Sequence, residues 1–246
     1  MSADQYDRIG ASYDAFKALP MARYAEIPGF TAWLGDVKGR KVLDAACGTG
    51  FYTRHVKALG AAEVVGVDVS PAMVAAARAR EERAPVGVRY ETADAADMSP
   101  AGAPFDLVCA AFLLNYADGA RTLARMCAGI RAVLADGGEL RALTQNPGYR
   151  FDGPDSEKYG FRHEVLARGE EGARVRLTAL LDDPLSVTVH FLRREVYESA
   201  LRSAGFTAVV WEPVPVDQSG IEAFGAPFWQ DWRDNPSLVL LRCRAE

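Results

Sequence analysis

The feature that most constrains the fold is an apolar run that leads into a glycine-containing turn and then into a helical stretch. The run covers 42–45, the turn is Cys47-Gly48-Thr49-Gly50, and helical periodicity follows over 51–59. Because glycine has no β-carbon, such a turn lets the backbone approach a ligand closely at the carboxyl end of a strand. A strand, a turn and a helix in this order predict a cofactor-binding crevice.

The alternation of apolar runs and helical stretches continues along the chain. Five short apolar runs have the continuous hydrophobicity of strands that are covered on both faces. These runs span 42–45, 63–68, 88–92, 105–110 and 139–144. The helical stretches between them span 51–59, 71–83 and 120–134, and Gly137-Gly138 is the predicted stop signal of the last helix. This alternation predicts an α/β, Rossmann-like fold, with a seven-stranded, mostly parallel sheet and helices on both faces.

The alternation of apolar runs and helical stretches ends after the fifth run. Residues 147–182 are rich in glycine, charge and aromatic side chains, and 187–192 alternates like a half-buried strand. We interpret 147–192 as an insertion after the fifth strand that contributes to a binding pocket. The remaining elements are a helix and two strands suited to an antiparallel edge, at 194–204, 207–211 and 238–243.

The first 36 residues have a helical and aromatic pattern. Five apolar side chains recur at spacings of three and four, which places them on one helical face. They are Tyr6, Ile9, Tyr13, Phe16 and Leu19. We predict a helical lid over 1–36 and one larger domain over 37–246, since a chain of 246 residues can bury the core of a single α/β domain.

Composition and charge exclude several classes of function. The formal net charge of -5 lacks the basic excess typical of nucleic-acid-binding surfaces, so we expect no nucleic-acid partner. No apolar run of about 18 residues occurs, so we expect no membrane span. The four cysteines are scattered and lack the paired spacing of a zinc site, which predicts reduced thiols in a cytoplasmic protein without a metal. The oligomeric state stays open, and a homodimer is compatible with the sequence.

Three acidic residues around the crevice indicate which cofactor it holds. Asp68 ends the second run, where its carboxylate can accept hydrogen bonds from both ribose hydroxyls of an adenosine. Asp44 precedes the turn, where a carboxylate repels phosphate but suits an ammonium group. Asp94 follows the third run, where it can accept from an adenine amine. The position three after Gly50 is Thr53, so the third glycine of a dinucleotide fingerprint is missing.

Four segments resemble, in order and spacing, successive motifs of class I S-adenosylmethionine-dependent methyltransferases. The segments are 42–50, 64–73, 92–98 and 105–108. The flanks, including Phe51-Tyr52, are similar to toxoflavin-synthase-like enzymes, which methylate small natural products. The resemblance implies methyl transfer from S-adenosyl-L-methionine to a small-molecule acceptor at nitrogen, oxygen or carbon, in secondary metabolism. The alternatives are a non-catalytic cofactor-binding regulatory or scaffolding subunit and an NAD or nucleotide-sugar enzyme, which Asp44 and the missing glycine disfavour.

The resemblance also assigns the cofactor-binding residues. It implies that Asp68 holds the ribose, that the turn holds the methionine end, and that Asp94 and its successor contact adenine. Ala46 stands where the family often has glycine. A phenol near a sulfonium gains cation–π attraction, so we expect Tyr6 and Tyr13 to cover the cofactor. The predicted cofactor-binding residues are Tyr6, Tyr13, Asp44, Ala46, Cys47, Gly48, Gly50, Tyr52, Asp68, Val69, Met73, Ala93, Asp94, Ala95, Ala110 and Ala111.

Candidate residues for the acceptor lie after the fourth and fifth runs. Residues 110–116 end the fourth run as an apolar floor that carries one amide, Asn115, and one phenol. In the insertion, His163 and Glu164 are candidate acid–base residues, together with Tyr13 of the lid. Neighbours on a strand point to opposite sides, so at most one of His163 and Glu164 is expected to face the pocket.

Two further segments contain candidate residues for the acceptor pocket. The Asn146-Pro147-Gly148-Tyr149 segment is interpreted as a turn that has no role in binding. Five aromatic residues near the C-terminal end of the sequence are candidates for a wall of the acceptor pocket. Some of them are also candidates for ordinary core packing. They are Trp211, Phe224, Phe228, Trp229 and Trp232. A pocket-sized apolar wall predicts a small, largely apolar or heteroaromatic acceptor.

Overall fold

The computed structural model describes residues 15–99, 101–154 and 156–246. Its strands are β1 (Lys41–Ala45), β2 (Glu63–Asp68), β3 (Arg89–Thr92), β4 (Phe105–Ala111), β5 (Leu134–Gln145), β6 (Phe161–Gly169), β7 (Gly172–Ala179), β8 (Leu185–Leu192), β9 (Phe206–Pro213) and β10 (Leu238–Ala245). Its α-helices are α1 (Ile27–Leu34), α2 (Phe51–Ala58), α3 (Pro71–Arg83), α4 (Ala120–Val133), α5 (Arg194–Ser203), α6 (Gln218–Phe224) and α7 (Gln230–Asp234). A π-helical segment, Ala22–Glu26, runs directly into α1. None of the described helices has both the length and the apolar character that a membrane crossing needs.

Seven strands form the central sheet in the order β3-β2-β1-β4-β5-β10-β9. The first five pair in parallel, and β10 is antiparallel to both β5 and β9. The predicted seven-stranded, mostly parallel sheet with an antiparallel edge is therefore confirmed. The chain runs outward from β1 to β3 and then returns to place β4 on the other side of β1. Strand order reverses between β1 and β4, which opens a crevice at the carboxyl ends of these strands.

The central strands are buried on both faces, as their continuous hydrophobicity predicts. Val42 and Cys109 belong to the core on one face of the sheet, whereas Leu43 and Val108 belong to the core on the other face. All four side chains are fully buried. The faces of these strands are thus occupied by packing, and ligands can reach the sheet only at the strand ends.

The helix after β2 begins and ends where the sequence predicts. Pro71 opens α3, and the Ser70 hydroxyl accepts a hydrogen bond from the Met73 amide at 3.3 Å. A capping side chain satisfies one of the free amides of the first turn, and proline at this position loses no helical hydrogen bond. Both signals are local, so the boundary could be predicted.

Helix α4 ends one residue before its predicted bound, but the glycine pair is not its stop signal. The helix ends at Val133, and β5 starts directly at Leu134. Gly137 and Gly138 therefore lie inside a strand and do not stop the helix. Gly137 has φ +74°, and the register between β4 and β5 shifts at this point. The glycine pair accommodates an irregularity in the strand, as at a β-bulge.

Residues 161–192 form a second sheet of three antiparallel strands in the order β6-β7-β8. Only the segment 187–192 was predicted as a strand, and no element was assigned within 147–182, so β6 and β7 were missed. The signal was present in the sequence. In β7, buried Val175 and Leu177 alternate with exposed Arg174 and Arg176, which is the period of a half-buried strand.

One face of this small sheet packs on the main core, and the other face lies in solvent. Phe161 and Val175 are fully buried, while Glu164 and Arg176 are exposed. Strand β8 contacts the turn Leu114–Tyr116, which follows β4. The small sheet therefore stands next to the carboxyl edge of the central sheet, where the crevice opens.

Candidate active site

A cavity of about 600 Å³ lies between the carboxyl ends of the central strands and the small sheet. One part is lined by residues that follow β1, β2 and β3, and we call it the cofactor part. The other part is lined by residues that follow β4 and β5 and by the small sheet, and we call it the acceptor part. Side chains from the N-terminal helical region, among them Phe16 and Met21, complete the wall.

The glycine turn after β1 adopts left-handed backbone conformations. Gly48 has φ +52°, and a β-carbon there would meet no atom within 4 Å, so its backbone faces the open cavity. Gly50 has φ +84°, and a β-carbon there would collide with the hydroxyl of Tyr90. Gly48 thus gives a ligand access to the backbone, whereas Gly50 is required for packing. Gly50, a predicted cofactor residue, does not line the cavity.

Ala46 and Cys47 also belong to this turn and line the cavity. Ala46 has φ +63°, a conformation that costs an L-residue roughly 1–2 kcal/mol. This explains why the resembling family often has glycine at that position. The Cys47 amide donates to the carbonyl oxygen of Val67 at 2.9 Å, which ties the turn to β2.

Asp68 lies at the end of β2 and lines the cavity, with only 8% of its surface exposed. Its carboxylate accepts hydrogen bonds from the backbone amides of Gly48 at 2.8 Å and Ser70 at 2.9 Å. Burial raises the pKa of Asp68, and the hydrogen bonds from the backbone act in the opposite direction. The two amides hold the carboxylate in one orientation, and its remaining lone pairs can accept from a ligand's hydroxyl groups.

Asp44 lies at the end of β1 and is 1% exposed. The Thr53 hydroxyl donates to it at 2.6 Å, and the Cys109 thiol lies 3.6 Å from its other oxygen. Burial, aided by the nearby charge of Asp68, raises the pKa of Asp44 to about 6. Thr53, which occupies the place of the missing glycine, thus supports a buried carboxylate. A cationic ligand group would stabilise the ionised form of Asp44.

Apolar and small side chains surround the remainder of the cofactor part. Val69 is 58% exposed, an unusual degree for a large apolar residue, and it lines the cavity. Asp94 is exposed, and one of its oxygens accepts from the Ala96 amide at 2.9 Å. The exposed apolar surface of Val69, which we call the apolar ledge, lies in the same part of the cavity as the Asp94 carboxylate. Such a surface beside a carboxylate suits a flat heterocycle that carries an amine. The other predicted residues that line this part are Met73, Ala93 and Ala95.

A buried ion pair closes the cavity on its N-terminal side. Lys17 donates to Glu26, which is fully buried, and the Tyr52 hydroxyl donates to the same carboxylate oxygen at 2.9 Å. The Lys17 Nζ also lies 5.0 Å from the ring centre of Phe51 and 4.9 Å from that of Tyr52. Lys17 is the one lysine or arginine among the described residues that line the cavity. Sequence reasoning missed it, although a lysine within a predicted apolar helical region was a usable signal.

Tyr6 and Tyr13 lie outside the described residues. Their predicted contacts with the cofactor, and the catalytic role suggested for Tyr13, therefore stay predictions. Tyr52, by contrast, lines the cavity as predicted.

The floor of the acceptor part is apolar with two buried amides. Asn115 follows β4 and Gln145 ends β5, each is 1% exposed, and the side-chain oxygen of each has no hydrogen-bond partner among the described residues. Unpaired buried polar atoms are rare in folded proteins and often mark a place where a ligand or water binds. Gln145 was missed by sequence reasoning, which ended the fifth strand at residue 144 and placed Gln145 in the turn that follows. Phe112, with φ +62°, and Ala111 complete this floor.

The wall opposite this floor comes from the small sheet and is largely aliphatic. The side chains of β7 and β8 on this wall are Leu177, Ala179, Leu185, Val187, Thr188, Val189 and His190. The predicted aromatic residues do not form it. Trp229 and Trp232 are buried in the core, where their indole nitrogens donate to backbone carbonyl groups at 2.8 and 2.9 Å. Trp211, Phe224 and Phe228 are also absent from the lining of the cavity.

His163 and Glu164 occupy opposite faces of β6. His163 lines the cavity, and burial lowers its pKa to about 4. Glu164 is exposed and forms an ion pair with Arg176 at 2.5 Å on the solvent face. The structure thus removes Glu164 from the candidate acid–base residues, because its side chain points away from the cavity.

Two more predicted features have purely structural positions. Ala110 is fully buried in the core of the central sheet and does not line the cavity, unlike its neighbour Ala111. Asn146 forms a turn: its side chain accepts from the Gly148 amide at 2.9 Å and donates to the Pro236 carbonyl at 2.7 Å. The interpretation of this segment as a turn is therefore correct.

These features define a class of protein. The fold is a doubly wound α/β sheet, and the crevice at its switch point offers a carboxylate for ribose, an apolar ledge and a buried carboxylate for a cation. A pyrophosphate would meet Asp44 and Asp68 and would be repelled. Within the part of the chain that the structure describes, no group of acidic, cysteine or histidine side chains could hold a metal ion. The site suits a nucleoside that carries a cationic amino-acid end.

Comparisons with known proteins agree with this class. Residues 42–138 match a family described as a methyltransferase domain. The chain is similar to demethylmenaquinone methyltransferase of Deinococcus radiodurans, with 36% identity over 180 residues that cover 68% of each chain. It is also similar to N-demethylindolmycin N-methyltransferase of Streptomyces griseus, with 28% identity over 181 residues, 71% of this chain and 72% of the relative. A crystal structure of an S-adenosylmethionine-dependent methyltransferase from Mesorhizobium loti has the same fold, with a TM-score of 0.64 and 24% identity over 93% of this chain and 99% of that one.

The chain therefore belongs to the S-adenosylmethionine-dependent methyltransferases, and S-adenosyl-L-methionine is its cofactor. The residues present fit this group, since the open space at Gly48, the exposed Val69 and the carboxylate of Asp68 lie in one cavity. Against several other curated methyltransferases the chain spans about half of the relative's length or less. The narrower resemblance to toxoflavin-synthase-like enzymes stays a prediction.

Proposed function

We propose that this enzyme methylates a small, largely apolar or heteroaromatic molecule of specialised metabolism. The observation that carries the proposal is the acceptor part of the cavity, which is lined mainly by apolar side chains, with a few neutral polar groups and the one carboxylate of Asp118 among its described residues. Such a pocket suits a compact apolar molecule with one or two polar atoms and offers no basic surface for nucleic acid. When bound, the cofactor supplies an electrophilic methyl group on a sulfonium, and S-adenosylhomocysteine is released.

The two carboxylates of the cofactor part are proposed to hold the two ends of the cofactor. Asp68 would accept from the ribose hydroxyls, because its oxygens are oriented by backbone amides at the cavity surface. Asp44 would pair with the ammonium of the methionine end, and Lys17 with its carboxylate. Such charge-assisted hydrogen bonds are stronger than neutral ones.

The adenine ring is proposed to lie against the ledge after β2 and β3. Val69 and Met73 would pack on its faces, and Asp94 would accept from its exocyclic amine. Burial of the exposed Val69 side chain would add to the affinity at about 25 cal/mol per Å² of apolar surface.

The acceptor is proposed to lie between the floor after β4 and β5 and the wall of the small sheet. The unpaired amide oxygens of Asn115 and Gln145 would accept from its polar groups. Methyl transfer is an in-line displacement, so holding the acceptor atom in line with the methyl group and excluding water provide most of the catalysis. His163 is the acid–base candidate that lines this part of the cavity, with Tyr13 of the proposed lid as a second.

The names of the relatives support a small-molecule acceptor. One is a methyltransferase of N-demethylindolmycin and another of demethylmenaquinone, and both names denote small organic molecules. We propose the same broad class here, with a lid over 1–36, a methyltransferase domain over 37–246 and its insertion at 147–192. A non-catalytic cofactor-binding subunit is disfavoured, because it would need no second pocket beside the cofactor part. The four cysteines are all free and buried, which supports a reducing, cytoplasmic location.

Transfer of a labelled methyl group tests this function. The protein is incubated with S-adenosylmethionine carrying a ¹³C-methyl group and a metabolite extract that has been filtered to remove macromolecules. We expect a labelled small molecule in the mass spectrum, together with S-adenosylhomocysteine, and much less of both products with the Asp68→Ala variant when the cofactor is kept below saturation. Cofactor binding without labelled product in the filtered extract, but with label on added protein or nucleic acid, would contradict the proposal.

A further inference from the structure

The direction of the hydrogen bond that holds His163 can be assigned. Its Nδ1 lies 2.9 Å from the Ser156 hydroxyl, and this hydroxyl also lies 3.2 Å from the carbonyl oxygen of Phe161. A serine hydroxyl carries one proton, and a carbonyl oxygen can only accept. When the Ser156 proton is donated to the Phe161 carbonyl, the proton of the other hydrogen bond belongs to Nδ1. The two contacts together favour the Nδ1–H tautomer of His163.

The second ring nitrogen of His163, Nε2, then carries the free lone pair. No described residue forms a hydrogen bond with Nε2. The atom is also not one of the enclosed polar atoms that lack a partner, so it is accessible. Since His163 lines the cavity, a small molecule in the acceptor part can reach this nitrogen.

Aromatic packing holds the imidazole ring in place. Its centre lies 5.0 Å from the ring centre of Tyr149 and 5.7 Å from that of Phe191. Leu177 is its partner in register on β7. Burial lowers the pKa of His163 to about 4, so the ring is neutral near neutral pH. A neutral imidazole with one fixed tautomer offers a hydrogen-bond acceptor, and not a donor, to the cavity.

We propose that Ser156 is a positioning residue that fixes His163 as the Nδ1–H tautomer, so that Nε2 accepts the proton of a hydroxyl or ring N–H acceptor. The proposal rests on the function proposed above. A lone pair on the acceptor's oxygen or nitrogen forms the bond to the methyl carbon, the carbon–sulfur bond breaks with its electron pair on sulfur, and the acceptor's proton moves to Nε2. The resulting imidazolium then returns this proton to water.

The basicity of His163 decides which acceptor groups suit it. A hydroxyl or ring N–H becomes strongly acidic as the methyl group is added, so even a weakly basic imidazole can remove its proton. A neutral aliphatic amine attacks without a base, and the ammonium that it forms holds its proton more tightly than an imidazole with a pKa of about 4. His163 is therefore suited to removing the proton of a hydroxyl or ring N–H acceptor. It would take no part in the methylation of an aliphatic amine.

Nitrogen NMR of the imidazole rings tests the tautomer without any acceptor. The chain has three histidines, His55, His163 and His190, so the signals can be assigned with His→Gln variants at the other two positions. In ¹⁵N-histidine-labelled protein near neutral pH, we expect the proton-bearing shift at Nδ1 of His163 and the lone-pair shift at Nε2. The reverse assignment would overturn the proposal. This measurement does not depend on cofactor binding, which calorimetry with S-adenosylhomocysteine checks separately.

Variants of Ser156 test its positioning role. Ser156→Ala should move the proton toward Nε2, because the oxygen that accepts from Nδ1 is lost, and Ser156→Thr should restore the original tautomer. Ser186→Ala is the matched control, since it removes a hydroxyl from the same small sheet in an exposed pair with Thr178. An unchanged tautomer in folded Ser156→Ala would show that other contacts orient the ring and would overturn the role of Ser156.

The acceptor class is tested with probe molecules on the complex with S-adenosylhomocysteine. We expect millimolar 2-naphthol or indole to shift the Nε2 signal of His163, and N-methylindole, which has the same ring but no N–H to donate, to leave it unchanged. The shift should be lost in Ser156→Ala. An unshifted Nε2 with both donor probes would overturn the acceptor class, even where the tautomer and cofactor binding are as expected.

Discussion

The two parts of the cavity differ in how the residues that line them are distributed along the sequence. Apart from the N-terminal side chains, the cofactor part comes from the ends of consecutive strands within residues 44–95, whereas the acceptor part draws on segments spread between 111 and 238. Consecutive parallel strands bring their carboxyl ends to one edge, so local motifs are enough to build the first part. The second part requires a separate sheet to pack on that edge. Local sequence motifs therefore predict the cofactor part of the cavity, whereas the acceptor part depends on long-range packing.

The two parts also differ in chemistry. The buried polar side chains of the cofactor part include the carboxylates of Asp44 and Asp68, whereas those of the acceptor part are the neutral amides of Asn115 and Gln145. A charged cofactor is held by charge, and an apolar acceptor is held by shape and a few hydrogen bonds. Substitutions confined to one part should leave binding in the other part intact.

The largest effect is expected at the buried ion pair on the N-terminal side of the cavity. Phe16 packs against Phe161 of the small sheet at 5.1 Å, and the adjacent Lys17 pairs with the fully buried Glu26. Lys17→Met should lower the free energy of unfolding by about 3–5 kcal/mol, because it leaves a buried carboxylate without its cation. Urea unfolding measures this loss.

Two variants sharpen this test. The double variant Lys17→Met/Glu26→Gln should recover part of the stability, since no buried charge remains. Lys41→Met should change stability by less than about 1 kcal/mol, because the Lys41–Glu63 pair lies on the surface. Equal effects of Lys17→Met and Lys41→Met would contradict the expected difference between a buried and an exposed ion pair.

Removal of the Asp68 carboxylate should weaken cofactor binding and leave the acceptor part unchanged. Asp68→Ala should weaken S-adenosylhomocysteine binding by about 1.5–3 kcal/mol, the usual scale for hydrogen bonds to a charged group. Calorimetry measures the affinity, and circular dichroism checks that the variant is folded. The Nε2 signal of His163 should stay unchanged.

Asp152→Ala serves as the control for this substitution, because Asp152 is exposed and does not line the cavity. Unchanged affinity in folded Asp68→Ala would remove Asp68 from the cofactor part. A shifted His163 signal would instead show that the two parts are coupled.

The pH dependence of cofactor binding should reveal Asp44. Its pKa is raised from 3.8 to about 6, so below pH 6 the carboxyl group becomes protonated and loses its attraction for an ammonium. The affinity for S-adenosylhomocysteine should fall as pH drops below about 6, approaching tenfold per pH unit. Calorimetry between pH 5 and 7 measures this slope.

The stability of the cofactor-free protein should change in the opposite direction. The folded state binds the Asp44 proton more tightly than the unfolded chain, so the contribution of this group becomes more favourable as pH falls from about 6 toward 3.8. Asp44→Asn should remove this contribution and flatten the dependence of affinity on pH. An unaltered slope in Asp44→Asn would assign the titration to another group, of which Asp68 is the nearest.

The smallest effect concerns the backbone of the turn. Ala46→Gly should relieve a left-handed conformation and stabilise the protein by up to about 1 kcal/mol, after the greater flexibility of glycine in the unfolded chain is deducted. Ala45→Gly, one residue earlier in β1, should destabilise it by about 0.5–1 kcal/mol, since its strand conformation has no such strain. Urea unfolding of both variants should therefore give opposite signs, and a loss of stability in Ala46→Gly would contradict the strain.

The sequence predicted the elements that depend on neighbouring residues. The start of α3 follows from Ser70 and Pro71, and the position of Asp68 follows from the length of one strand–helix–strand unit. Strands β6 and β7 were missed because their alternating pattern lies in a stretch rich in charge and glycine. The late tryptophans were partly assigned to a binding wall, because aromatic composition does not distinguish a core from a pocket.

The sequence by itself determined the central α/β sheet, the cofactor crevice and the residues that follow β1, β2 and β3, because these depend on short-range patterns and on the fixed geometry of parallel strands. Only the tertiary structure decided that His163 faces the cavity while Glu164 faces solvent. Alternation shows that two strand neighbours point to opposite sides, but the packing of the small sheet against the central sheet determines which side is buried. The same packing placed Ser156 beside His163, and no sequence pattern encodes that contact.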